Sequence, residues 1–293
     1  MNSEQYLRFL LNNPFLRFVP PGHFYSPIPD YKDVVARSDL LFRRDSKECP
    51  GVDMNEQGQL GLLDKLAVFY EEMPFADAPQ ENVRYFFKND SFGHHDAIAL
   101  YAIIRENRPG KIIEVGSGLS TAVILDTNQL FLNDTIACTF IEPYPDQLNK
   151  VLKAGDLQKH RFIKKPVQDV PLDLFESLSV NDIIFIDSSH VVKIGSDVAH
   201  LIFTVLPRLK PGVIVHFHDI PWPFEYPKEW VLEGRAWNEA YFLRAFLSYN
   251  GMFTIMYANS FMSCFHEDEI RAKMPRCLEN TGGSIWIRKN GAH

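Results

Sequence analysis

The run Lys111-Ile112-Ile113-Glu114-Val115-Gly116-Ser117-Gly118-Leu119-Ser120-Thr121 passes from apolar residues straight into Gly-x-Gly and then into a helical pattern that continues to residue 131. A short apolar run bounded by glycine reads as a buried strand. At Gly116 and Gly118 the missing side chains let the chain turn tightly and let backbone approach a ligand closely. Strand, glycine turn and helix make the first half of a βαβ unit, whose natural setting is a parallel sheet.

The same alternation extends on both sides. A helix is predicted over 96–107, with further strands over 136–141, 161–164, 183–186 and 213–217 and helical pattern between them, notably 195–208. Continuous apolar strands imply a sheet covered on both faces by helices, a doubly wound α/β architecture. A helix over 236–249 precedes two last strands, 253–257 and 284–287. No long helical pattern joins that pair, so they are expected to pair antiparallel. Residues 1–90 differ in texture, with Pro14, Pro20, Pro21, Pro27, Pro29, Pro74 and Pro79 among scattered aromatics and one amphipathic stretch over 60–72. Proline at this density breaks regular elements. They read as an arm or lid packed on a main domain over 91–293.

Two acids sit at the ends of the first two strands. Glu114 lies two residues before the first glycine, and an acid there suits a cationic amino-acid head group better than a pyrophosphate. Glu142 follows the second strand, where a carboxylate can accept hydrogen bonds from both hydroxyls of a ribose. The third strand leads to Gln168 and Asp169, placed for contacts to an adenine. A dinucleotide site favours Gly or Ala at the last position of G-x-G-x-x-G, and here that position is Thr121.

Glu114-Val115-Gly116-Ser117-Gly118, Glu142 and the strand end at Asp187 together resemble class I S-adenosylmethionine-dependent methyltransferases. The resemblance covers about the last two-thirds of the chain. It implies a Rossmann-like, mostly parallel seven-stranded sheet ending in an antiparallel hairpin. It also implies that Glu114, Gly116, Ser117 and Gly118 border the methionine end of S-adenosylmethionine, Glu142 its ribose, Gln168 and Asp169 its adenine, with Asp187 completing the set.

Candidate chemistry lies at two later strand ends. Residues 183–186 run into Asp187-Ser188-Ser189-His190, and 213–217 into His218-Asp219. In open α/β sheets ligands bind beyond the carboxyl ends of strands, so both clusters are expected near the glycine turn. Asp187, His218 and Asp219 could hold a divalent cation such as magnesium, which would lower the pKa of a substrate hydroxyl. The set is similar to that of small metal-assisted O-methyltransferases, some of which act on sugars, but offers His-Asp where those have two carboxyl or amide groups. The rival reading makes His190 or His218 a general base. His216 reads as structural. Pro221-Trp222-Pro223-Phe224 offers either a wall for an acceptor or packing against the arm. Asn238 and Glu239 open a helix, where an acid is favoured by the dipole alone.

The reading is thus a methyltransferase for a small-molecule acceptor. A NAD-dependent oxidoreductase and a non-catalytic adenosyl-binding module are the alternatives. A formal charge of −7 does not suit a broad nucleic-acid surface. Cys49, Cys138, Cys264 and Cys277 are widely spaced and form no C-x-x-C pair, as expected of thiols in a reducing compartment. With no signal-peptide layout and no long apolar run, a cytoplasmic protein without a membrane span is expected, and a homo-oligomer is left open.

Overall fold

In the computed structural model, which describes residues 3–16 and 18–291, seven strands form one sheet in the order β3-β2-β1-β4-β5-β7-β6. They are β1 (Lys111–Val115), β2 (Ala137–Ile141), β3 (Arg161–Ile163), β4 (Ile183–Ile186), β5 (Ile214–Phe217), β6 (Phe253–Ala258) and β7 (Ile285–Lys289). The first five are parallel, with Ile113 of β1 opposite Thr139 on one side and Ile184 on the other. β7 runs antiparallel between β5 and β6. The connection from β6 to β7 carries two seven-residue helices, Asn259–Phe265 and Glu267–Lys273, which the sequence pattern did not announce.

The core follows from composition. Ile183 to Ile186 are all at most 1% exposed, as strands covered on both faces must be. The helix α1 (His94–Asn107) is buried from His95 to Ile104, and α2 (Leu119–Phe131) from Ser120 to Asn128. Helices apolar around most of their circumference belong in a protein interior. The 195–208 stretch is not one regular helix. It comprises a helical turn at Asp197–His200, a π turn at Leu201–Val205 and a 3₁₀ turn at Leu206–Arg208, and Pro207 lacks the N–H that a regular helix would need there.

Two compact units emerge, and their border differs from the expected one at residue 90. One unit comprises residues 1–46 with 226–237; the other comprises 47–225 with 238–293. Residues 47–90 belong with the sheet for definite reasons. The amphipathic stretch forms a helix over Glu56–Ala67, ending before Val68, which is exposed. Its Gln59 accepts from the amide of Ala258 in β6 (2.8 Å). Arg84, almost fully buried, pairs with Asp126 of α2 (2.7 Å) and Asp156 (2.9 Å). In the smaller unit, Asp30 caps the helix Tyr31–Ala36, and Arg235 packs against the rings of Trp230 (4.6 Å) and Trp237 (5.1 Å). Among the described residues no helix is long and apolar enough to cross a membrane.

His216 in β5 is fully buried, stacked on Phe185 (3.8 Å between centroids) and edge-on to Trp286 (4.4 Å). Neither ring nitrogen has a hydrogen-bond partner. Burial, with the neighbouring His218, holds its pKa well below 6.5, so the ring is neutral. A buried polar group without a partner costs about 1–3 kcal/mol. His216→Phe keeps the stack and removes the orphaned nitrogens, and is therefore expected to raise unfolding free energy by about 1–3 kcal/mol in guanidinium denaturation. Destabilisation instead would mean that the imidazole shape itself is required.

Candidate active site

The chain order reverses at β1. β2 and β3 extend the sheet to one side and β4 to β5 to the other, so the turns leaving β1 and β4 diverge and open a crevice at their carboxyl ends. The two turns nearly touch. Gly116 has φ +80°, and a Cβ placed on it would lie 1.6 Å from the carbonyl oxygen of Asp187. Only glycine fits there. The amide of Gly116 donates to Ile141 (3.0 Å) and that of Asp187 to Val115 (2.9 Å), fixing both turns to neighbouring strands.

The crevice is a cleft of about 300 Å³ lined by Gly116, Ser117, Gly118, Leu119, Ser120, Glu142 and Asp187, with Ser91, Phe92, Gln147 and Val151. Five residues singled out in the sequence thus share it. Glu142 is oriented by two amides, those of Ser117 (3.2 Å) and Tyr144 (2.7 Å), and remains partly exposed. The Ser117 hydroxyl is buried near Glu114, whose charged form it favours.

Glu114 takes a different place from the expected one beside a head group. Its side chain is fully buried, and its two oxygens accept from the hydroxyls of Ser120 (2.6 Å) and Thr121. Burial outweighs these bonds and pushes its pKa up to about 8. It holds the start of α2 against β1 and so shapes the turn from behind. Gln168 and Asp169 are not among the cleft-lining residues. Gln168 donates to the carbonyl of Gly195 (2.7 Å), and Asp169 is exposed on a 3₁₀ turn. Ser91, Phe92, Gln147 and Val151 were not read from the sequence, because each lies in a connection without a motif.

Next to Asp187 lies a cluster of charge. The Nε2 of His190 faces Asp187 Oδ1 (3.4 Å) and Asp219 Oδ2 (3.7 Å), while its Nδ1 meets Glu239 Oε2 (2.9 Å). Burial alone would depress this histidine, but Asp187 and Glu239 override it and raise its pKa to about 10. Asp187 sits below the ordinary carboxylate range because His218 and His190 prevail over its burial. Burial raises Asp219 and Glu239.

His218 stands behind Asp219, its Nε2 3.7 Å from Asp219 Oδ1. Its Nδ1 is 3.4 Å from the Ser284 hydroxyl, which donates to Asp96 (2.5 Å). A hydroxyl already donating can only accept from the ring, so Nδ1 carries a proton, and the Asp219 carboxylate facing Nε2 favours a second proton there. Burial works against the charged ring, but Asp187, Asp219 and Asp96 raise its pKa above 6.5. Phe92 connects this group to the cleft, its ring 5.1 Å from that of His218. Asp96 also accepts from Asn259 (2.9 Å) and the amide of Ser284 (3.0 Å) and is a structural hub.

The divalent-cation reading does not fit. Asp187, His218 and Asp219 do not gather their donor atoms, and His190 stands between the two carboxylates. Among the described residues, the group of at least three such side chains whose donor atoms all lie within 4.8 Å of one another is Asp77, His94 and Glu279. That cluster already holds the guanidinium of Arg276, bonded to Asp77 and to Glu279 (2.9 Å). Trp222 and Phe224, read as an acceptor wall or an arm contact, are buried, and the Trp222 ring packs edge-on to Phe261 (5.0 Å).

A family model described as a methyltransferase domain matches residues 113–220, from within β1 to just beyond β5. An uncharacterized protein of Archaeoglobus fulgidus is 39% identical over 170 residues, covering 56% of this chain and 76% of that one. Among solved structures, the chain is similar to the O-methyltransferase TomG from Streptomyces achromogenes, in complex with S-adenosylmethionine (13% identity, TM-score 0.43, 89% of this chain and 96% of that one). It is also similar to the methyltransferase PaMTH1 of Podospora anserina, bound to S-adenosylhomocysteine (15% identity, TM-score 0.43, 91% and 99%). Residues 113–220 thus match a methyltransferase domain, and the seven-stranded sheet with its antiparallel β7 is consistent with the class I S-adenosylmethionine-dependent methyltransferase superfamily.

Proposed function

We propose that the chain methylates a hydroxyl of a small-molecule acceptor, with Asp219, backed by His218, receiving the hydroxyl proton. The observation that carries this reading is the junction at Asp187: it lines the cleft, and through His190 it adjoins Asp219, whose side chain is still 21% exposed. When bound, S-adenosylmethionine supplies a methyl on a sulfonium; breaking C–S and forming C–O leaves S-adenosylhomocysteine and releases the hydroxyl proton.

The residues divide the work. Glu142 is oriented to accept from the ribose hydroxyls, and the buried Ser117 hydroxyl offers a further polar contact at the turn. Val151 and Gln147 are the wall for the adenine, in place of the exposed Asp169. Asp219 and His218 form a base whose affinity for protons is raised in both members, as a base working near neutral pH requires. His190 is not that base, since both its nitrogens face carboxylates. Orientation of acceptor oxygen and methyl in line contributes much of the remaining rate.

Calorimetric titration with S-adenosylhomocysteine, and with NAD in parallel, tests the cofactor. Binding of the former is expected, weakened about tenfold to a hundredfold in Glu142→Ala, as for hydrogen bonds to a charged group. Transfer is then followed as a one-methyl mass gain across hydroxylated acceptors. Binding of NAD alone would overturn the reading; binding of S-adenosylhomocysteine without turnover on any acceptor would favour an adenosyl-binding module.

A further inference from the structure

We propose that His190 is a resident cation at the place where Asp187, Asp219 and Glu239 would otherwise gather a divalent metal, so that this chain keeps its site charged-balanced without a metal ion. The proposal deepens the methyl-transfer reading and rests on it for its catalytic meaning, though not for its test.

The geometry carries it. Nδ1 of His190 meets Glu239 at 2.9 Å, and Nε2 faces Asp187 and Asp219 at 3.4 and 3.7 Å. A neutral imidazole has one donor nitrogen and one acceptor, so it would turn a lone pair toward a carboxylate on one side or the other. With Glu239 and Asp187 both ionised, only the imidazolium donates to both sides. The Glu239 side chain is 1% exposed and that of His190 7%. A carboxylate withdrawn from water as far as Glu239 needs a counter-charge, or it takes up a proton.

The backbone is built to hold the ring there. His190 has φ +58°, a left-handed conformation that costs a non-glycine residue free energy and persists where the surroundings enforce it. Its carbonyl accepts from the amides of both Asn238 and Glu239 (3.1 Å each). Asn238 in turn brackets Val192, accepting from its amide (2.6 Å) and donating to its carbonyl (3.2 Å). The start of the helix Glu239–Leu247 is thereby clamped to the loop after β4, and Glu239 is aimed at His190. The cluster at Asp77, His94 and Glu279 repeats the theme with Arg276 as its cation.

Manganese titration followed by electron paramagnetic resonance tests the proposal on the full chain. The wild type is expected to bind no Mn²⁺ at the cluster. His190→Ala and His190→Asn, verified as folded by circular dichroism, are expected to gain affinity of at least about tenfold, the emptied trio of carboxylates now presenting oxygen ligands; Asp187→Asn added to either should abolish the gain. Mn²⁺ bound by the wild type and lost in Asp219→Asn overturns the proposal, as do folded variants that bind no better than wild type. Should both variants fail to fold, long-range ¹H–¹⁵N spectra of the wild type decide. Both His190 nitrogens protonated at neutral pH supports the proposal, and a neutral tautomer overturns it. Absence of S-adenosylhomocysteine binding in the wild type would strike the methyl-transfer reading and leave the manganese and nitrogen results intact.

Discussion

Gly116→Ala is expected to abolish S-adenosylhomocysteine binding and to lower the stability of the fold. The added Cβ would meet the Asp187 carbonyl oxygen at 1.6 Å and its carbon at 2.7 Å. Those are backbone atoms, held by the Asp187 amide bonded to Val115, so no side-chain rotation relieves the clash. The residue must also keep φ +80°, which an L side chain rarely adopts. Either the β1 turn or the β4 turn has to move, and both line the same cleft. A cost of about 3 kcal/mol or more, in the range of severe core strain, corresponds to at least about a hundredfold in affinity. Ser117→Ala is the companion measurement. It deletes one buried hydroxyl beside Glu114, so its melting temperature should fall far less than that of Gly116→Ala while the cleft loses one polar contact. If Gly116→Ala instead binds S-adenosylhomocysteine with wild-type affinity, the cleft at β1 and β4 is not the cofactor site.

The contrast between these neighbours explains why the sheet was legible in the sequence and the site only partly. Strands such as Ile183–Ile186 announce themselves because burial on both faces demands an unbroken apolar run. Gly116 does so because no other residue fits its backbone. Glu142 and Asp187 follow from the rule that strand ends hold ligands, and both line the cleft. Glu114 was misplaced for a physical reason: at a strand end, sequence does not say which face a side chain takes. Here it turned inward to Ser120 and Thr121.

Glu239 shows the opposite failure. As a helix-opening acid it looked satisfied by the dipole, yet it is buried on His190 and completes the charge cluster. Its contact joins residues 49 positions apart, and no local spacing encodes it. Phe92 is similar, since it reaches the cleft and His218 from a connection preceding α1 that has no periodic pattern. What sequence could not supply in each case was the tertiary packing that assigns a neighbour. The border between units eluded it likewise, because proline density marks irregular chain and not where that chain packs.

Asp219→Asn is expected to lower kcat by about a hundredfold to ten-thousandfold, the usual worth of a positioned general base, with little change in the affinity for S-adenosylhomocysteine. The substitution is nearly isosteric and lies outside the cleft-lining residues, so a binding defect is not its natural consequence. The pH profile separates base from scaffold. A base works unprotonated, so kcat should fall as pH drops through the pKa of the pair. That limb should lie above the ordinary carboxylate range, because burial raises Asp219 and the surrounding carboxylates raise His218. In Asp219→Asn one of the charges that raise His218 is gone, so the residual activity should keep its level to lower pH. His218→Gln and the double variant close the argument. Groups acting as one unit are not additive, and the double variant should then lose scarcely more than Asp219→Asn alone. Losses that multiply would show two independent contributions. An unchanged kcat with only a raised acceptor KM would make Asp219 a binding residue and move the proton's destination elsewhere.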